Sequence, residues 1–265
     1  MILESVFGKT KAVIGMVHLL PLPGSPQTVS LDTVLKQALD DTKALELGGV
    51  DALLIENFGD LPYCPDQVGA ETVAAMTYIV SKIAEQTSLP FGINVLRNDG
   101  IAALSITSVC SGHFIRVNVL TGVYITDQGI IKGQAYRILR HRTLLNSEVL
   151  IFADIHVKHA IPIPKSPIER TARETVNRGL ADAVIVTGEE TGKPPSLDDV
   201  KSVRKSLQKT PILIGSGVDI NNIETFLDLT DGVIVGTSFK VDNDAKKPVD
   251  IARVRNFMKK VNKIT

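Results

Sequence analysis

Short apolar, β-branched runs alternate along the chain with longer stretches in which apolar residues return every three or four positions. The runs are Val13–His18, Ala52–Glu56, Phe91–Leu96, Phe114–Val119, Val149–His156, Ala183–Thr187, Ile212–Gly215 and Gly232–Gly236. The helical stretches are Leu31–Leu47, Gln67–Gln86, Asp99–Cys110, Gly133–Leu145, Pro167–Gly179, Leu197–Leu207, Asn221–Leu227 and Val249–Lys263. Strands that alternate with helices join by right-handed crossovers into a parallel sheet buried on both faces. Eight such units predict an α/β protein with a single (β/α)8 barrel, a TIM barrel, over residues 1–265.

The connections support a closed barrel with one functional end. Those entering strands are terse, such as Thr87–Pro90 and Ser111–His113. Those leaving strands are long and rich in proline and glycine, such as Leu19–Ser30, Asn57–Asp66, Leu120–Lys132, Val157–Ser166 and Gly188–Ser196. Long loops gathered at the C-terminal face are where barrel active sites are built. Within the fourth, Val123–Thr126 and Ile130–Ile131 flank Asp127-Gln128-Gly129 and predict a hairpin.

A barrel strand should be apolar, so polar residues inside these runs carry information. In Phe152–His159, two-residue alternation predicts Asp154, His156 and Lys158 on the lumen side. An acid, an imidazole and an amine rising toward the mouth suit proton transfer, or a lysine made nucleophilic by its surroundings. His18 and Glu56 close the first two strands and complete the catalytic candidates. Asn94, Arg97, Arg116, Asn118, His159 and Thr187 end neighbouring strands and are expected to bind substrate. A buried Arg116 paired with Asp154 or Glu56 is the structural alternative.

Near the C-terminus, Ile214-Gly215-Ser216-Gly217-Val218 and Val235-Gly236-Thr237-Ser238 follow the last two strands. Glycine brings backbone N–H groups close to an anion, and paired turns of this kind hold phosphate in (β/α)8 barrels. Gly215, Ser216, Gly217, Gly236, Thr237 and Ser238 are therefore expected to bind a phosphate group. Glu56, Asp154, His18 and His156 are also compatible with Mg²⁺ or another divalent ion. No HxH or HExxH spacing points to one, so no metal ligand or cofactor is assigned.

Composition narrows the partners. The 265 residues carry 29 basic and 29 acidic side chains, so no global charge points to nucleic acid or a membrane surface. Two cysteines, Cys64 and Cys110, do not make a disulfide framework. The opening residues lack a basic segment leading into a long apolar one, and no apolar run approaches a membrane span. A cytoplasmic protein with a small phosphorylated substrate, assembled as a homo-oligomer, is expected.

The block Gly15-Met-Val-His-Leu-Leu-Pro-Leu-Pro-Gly-Ser-Pro26 resembles the opening signature of the BtpA family. The likeness continues through Glu56-Asn57, Asn94–Asp99, Arg116–Asn118, Asp154–His159, Val186–Gly188 and Gly236–Lys240. The resemblance implies a TIM barrel and two different roles. One, from the photosystem I biogenesis members, is a thylakoid-associated factor without catalysis. The other, from SgcQ-like members encoded beside sugar-uptake genes, is a nucleosidase. The residues alone favour an enzyme on a phosphorylated sugar or nucleoside-derived ribose, with nucleosidase, aldolase or isomerase chemistry left open.

Overall fold

The computed structural model describes residues 2–264; Met1 and Thr265 lie outside the described residues. Eight parallel strands close into a barrel. They are β1 (Ala12–His18), β2 (Ala52–Glu56), β3 (Phe91–Asn94), β4 (Phe114–Val117), β7 (Leu150–Ile155), β9 (Ala183–Val186), β10 (Ile212–Ile214) and β11 (Gly232–Val235). Closure is made where β1 pairs with β11, from Ala12 opposite Gly232 to Gly15 opposite Val235. Every expected strand exists; β1 and β2 end where expected, at His18 and Glu56, and others are trimmed where the chain turns into the mouth, β3 stopping at Asn94 and β4 at Val117.

Helices α2 (Leu31–Gly48), α3 (Ala70–Gln86), α4 (Gly100–Val109), α5 (Ala135–Leu144), α6 (Ile168–Asn177), α7 (Leu197–Ser206), α8 (Ile223–Leu229) and α9 (Ile251–Ile264) cover the outside. No helix among the described residues is long and apolar enough to cross a membrane.

Alternation along the strands divides the apolar residues into two cores. Outward residues such as Val13, Val17, Leu53, Ile55 and Ile93 pack against the helices. Inward residues Ile14, Met16, Leu54, Phe114, Phe152, Ile185, Leu213 and Ile234 fill the lumen. Phe114 and Phe152 stack there with centroids 4.7 Å apart. A short N-terminal helix, α1 (Ile2–Phe7), plugs the lower end and sets Phe7 edge-on to Phe114 at 5.7 Å. The lumen is thus a packed core below, and its polar residues are confined to the layer above.

The expected hairpin is present as β5 (Val123–Thr126) and β6 (Gly129–Lys132), joined by a further strand, β8 (Ala160–Pro162), that pairs with β5. Tyr124 and Ile131 pack with Val119 and Val157 beneath this small sheet, which carries Asp127 at its turn. It stands beside the mouth as a wall.

One buried ion pair fixes the chain after β11. Lys240 Nζ lies 2.6 Å from Asp41 Oδ2 of α2, with both side chains almost wholly buried. Asp41 Oδ1 also accepts from the Val249 amide at 2.7 Å and Gln37 Nε2 at 3.0 Å. This anchor holds the turn bearing Thr237 and Ser238 against the barrel. Removing one partner of a buried pair strands the other charge. Asp41→Asn is expected to lower the unfolding free energy by about 3 kcal/mol in urea titration. A loss below about 1 kcal/mol would show that the pair contributes little.

Candidate active site

The polar layer begins where the inward-facing positions of β1, β2 and β3 come into register, His18 opposite Glu56 and Glu56 opposite Asn94. On β4 and β7 the corresponding positions are Arg116 and Asp154. Arg116 Nε and an Nη donate to the two oxygens of Asp154, each at 2.9 Å, in a fork-on-fork contact. Asn118 Nδ2 adds a third bond to Asp154 at 2.9 Å. Asn94 Nδ2 then donates to Asn118 Oδ1 and to the Arg116 carbonyl, each at 3.1 Å. Arg116 and Asp154 are both almost fully buried. They form the floor of the mouth, and neither oxygen of Asp154 is left open for a substrate proton.

Above this floor lies a cavity of about 220 Å³ lined by His18, Glu56, Arg116, Lys158 and the turns after β10 and β11. It adjoins a second lobe of about 270 Å³, lined by Tyr63, Arg97, Asn118, Asp127 and His159. Glu56, Phe58, Lys158 and Thr191 border both lobes. Among the described residues, Glu56 and Lys158 each lack an ion pair, and no hydrogen bond forms at the Glu56 carboxylate or the Lys158 amine. Burial lowers the Lys158 amine from 10.5 to about 8, with the Arg116 charge acting in the same direction and Glu56 opposing it.

His18 Nδ1 donates to the Ala245 carbonyl at 3.1 Å, and the ring stacks on Phe58 with centroids 4.3 Å apart. Burial, then the charge of Lys240, pushes its pKa down to about 3. The imidazole is therefore neutral near pH 7, and its Nε2 lone pair is an acceptor. A Cβ on Gly236 would lie only 3.4 Å from that nitrogen, so the absent side chain keeps the ring edge close to the last turn.

The two glycine turns form the wall beside His18. Gly217 adopts φ +68°, and a Cβ there would lie 2.0 Å from the Pro194 nitrogen, so glycine is required twice over. The amides of Gly217, Val218, Thr237 and Ser238 have no acceptor among the described residues. Thr237 and Ser238 open the short 3₁₀ turn Thr237–Phe239, which leaves their N–H groups free. Asp219 also borders this wall, but its Oδ1 is held by the amides of Asn221 and Asn222.

Several expected residues stand elsewhere or act differently. His156 does not face the lumen. It has φ +51°, which breaks the strand alternation after Ile155 and sends its ring toward Thr171 of α6, with Nε2 and Oγ1 3.3 Å apart. Burial lowers its pKa, and Asp199 and Glu169 of the outer helices oppose that shift. Thr187 is a brace: its Oγ1 accepts from the Lys158 amide at 3.1 Å and donates to the His156 carbonyl. Ser216 Oγ is likewise engaged, accepting from the Gly188 amide and donating to the Lys193 carbonyl. His159 is exposed at the rim beside Thr191.

Phe58, Tyr63, Asp127 and Thr191 border the cavity without having been singled out in the sequence. All four lie on loops that leave strands, which is the signal that marks them. Among the described residues no three His, Cys, Asp or Glu side chains gather to hold a metal ion. Asp154 is bound by Arg116 and Asn118, and His156 is outside the lumen, so the ligand set suggested by composition is dispersed.

Acetylation by acetic anhydride, followed peptide by peptide in mass spectrometry, tests the Lys158 environment. Its rate is expected to reach half-maximum near pH 8, because the neutral amine is the reactive form. A midpoint near 10.5, the ordinary value, would contradict the burial and charge assigned to it.

Comparison with known proteins agrees with this architecture. The chain is 45% identical over 257 residues to an uncharacterized protein of Methanocaldococcus jannaschii, covering 97% of each. It is 43% identical to the photosystem I biogenesis protein BtpA of Synechocystis, covering 97% of this chain and 90% of that one. It is 35% identical to the sgc region protein SgcQ of Escherichia coli, covering 99% and 98%. Among solved structures, phosphoribosyl anthranilate isomerase from Thermus thermophilus superposes with a TM-score of 0.59 at 11% identity, covering 96% of this chain and 100% of that one. That likeness is one of fold. The BtpA family model matches residues 9–263, and the chain belongs to the BtpA family.

Proposed function

We propose that the protein is an enzyme that acts on a small phosphorylated sugar or sugar-derived metabolite. The phosphate sits against the free amides of Gly217, Val218, Thr237 and Ser238, with the Thr237 and Ser238 hydroxyls beside it. Its carbon skeleton reaches across the cavity toward Glu56 and Lys158. The observation that carries this reading is that Glu56 and Lys158 border one cavity with no ion pair to neutralise either. Ionisable groups held this way lower stability and are found where chemistry needs them.

The state of the lysine favours carbonyl chemistry. At pH 7 an amine of pKa about 8 is neutral in roughly a tenth of molecules, against less than one in a thousand for an exposed lysine. That amine takes a proton from carbon, or adds to a carbonyl carbon and expels water to give a Schiff base. Glu56 moves the proton on the other side, and neutral His18 accepts a hydrogen bond from a substrate hydroxyl. Glycosidic hydrolysis generally uses two available carboxylates, and Asp154 is already occupied by Arg116 and Asn118. Isomerase or aldol-cleaving chemistry is therefore preferred over a nucleosidase. The phosphorylated substrate in the name of the isomerase of similar fold is consistent with this reading.

The relative named for photosystem I biogenesis supports a second reading, a non-catalytic assembly factor. Cyanoborohydride trapping with a panel of phosphorylated ketoses and aldoses separates the two. A covalent adduct on the Lys158 peptide, absent in Lys158→Met, is the expected result. No adduct across the panel, together with full cellular function of the Glu56→Gln/Lys158→Met double variant, would favour the assembly factor. With an active substrate in hand, each single variant is expected to lower kcat at least about 100-fold.

A further inference from the structure

Three buried cations stand near the mouth, and two of them are matched. Arg116 is gripped by Asp154, and Lys240 by Asp41. The third, Arg97, is not. It is 4% exposed and borders the second lobe of the cavity, yet no carboxylate among the described residues lies within ion-pair distance. The one hydrogen bond of its guanidinium among the described residues runs from an Nη to the Lys158 carbonyl. None of its other nitrogens is sealed off without a partner, and the residue lines this lobe. Asp127, the acid of the hairpin turn, borders the same lobe, but its Oδ2 takes a bond from Gln128 Nε2 and it is exposed.

A buried guanidinium without a counter-ion is costly, and its planar fork fits a carboxylate through two parallel bonds. The phosphate-binding wall lies in the other lobe, with Glu56 and Lys158 at the junction. We propose that Arg97 binds a carboxylate at the far end of the substrate, so that the ligand is a phosphorylated sugar acid with an anion at each end. The two anionic ends would hold the intervening carbons at Glu56 and Lys158. This inference rests on the phosphate reading given above for the position of the other end.

Calorimetric titration with four probes tests it: inorganic phosphate, gluconate, sorbitol 6-phosphate and 6-phosphogluconate. The last two share chain length and phosphate and differ in a terminal carboxylate. The wild-type protein is expected to bind 6-phosphogluconate at least tenfold more tightly than sorbitol 6-phosphate. Arg97→Met is expected to remove that preference while leaving inorganic phosphate binding unchanged. Arg97→Lys, which keeps the charge and loses the fork, should recover only part of it and guards against misfolding of the first variant. Equal wild-type affinities for the two phosphorylated probes would overturn the carboxylate site and leave the phosphate reading standing. Arg97-dependent binding of gluconate without any binding of inorganic phosphate would support the carboxylate site and overturn the phosphate wall. Failure of all four probes to bind would overturn both.

Discussion

The ion pair between Arg116 and Asp154 divides the barrel. Below it the lumen is apolar and closed, with Phe114 and Phe152 stacked on each other and Phe7 inserted from beneath. Above it the inward positions include His18, Glu56 and Asn94, with Met16 and Ile234 still bordering the cavity. Two charges so deeply buried are tolerable only because the contact is bidentate and Asn118 satisfies a further lone pair. The pair thereby orders its neighbours: Asn118 is aimed by Asp154, and Asn94 by Asn118. Because Arg116 is spent on Asp154, the Glu56 carboxylate has no ion-pair or hydrogen-bond partner among the described residues. Because Arg116 remains positive beside it, the Lys158 amine loses its proton more readily. The reactive groups of the mouth are thus defined by what the floor withholds from them.

The second constraint is the packing of loops on glycine. The segment after β9 crosses the turn after β10 so closely that no side chain fits at Gly217, and the Ser216 hydroxyl ties the two segments together by accepting one bond and donating another. The turn after β11 is fastened from behind by Lys240 and Asp41. Both turns are thus fastened to neighbouring segments and carry amides without an acceptor among the described residues, an arrangement that suits the proposed anion. An Nη of Arg253 donates to the Ser238 carbonyl of this wall at 3.4 Å. In the proposed site an anion would be drawn by backbone dipoles and by Lys158, against the Asp219 carboxylate that borders the same cavity.

Much of the architecture was legible because it follows from alternation. Apolar runs separated by amphipathic stretches mark all eight barrel strands, and the difference in loop length marks the functional face. Alternation also placed Asp154 in the lumen. It failed at His156, where a left-handed backbone turns the side chain outward, a conformation that a β-strand pattern cannot announce. It also could not tell an available carboxylate from an occupied one, since the partner of Asp154 comes from another strand. Thr187 and Ser216 look like substrate ligands in sequence and serve as braces for the same reason. The N-terminal plug was missed because α1 is too short to show a period, and only its burial of Leu3 and Phe7 reveals the role. Phe58 and Tyr63 lie in a loop with no pattern at all, and their place at the cavity is set by tertiary packing alone.

In the proposed enzyme an anion is held by backbone amides opposite Glu56 and Lys158. Amide chemical shifts recorded while inorganic phosphate is titrated into the isotopically labelled protein address this directly. Saturable shifts at Gly217, Val218, Thr237 and Ser238 are predicted, because these four N–H groups have no acceptor within the chain among the described residues. Saturable shifts elsewhere with these four unmoved, or no saturable shift at all, would contradict it.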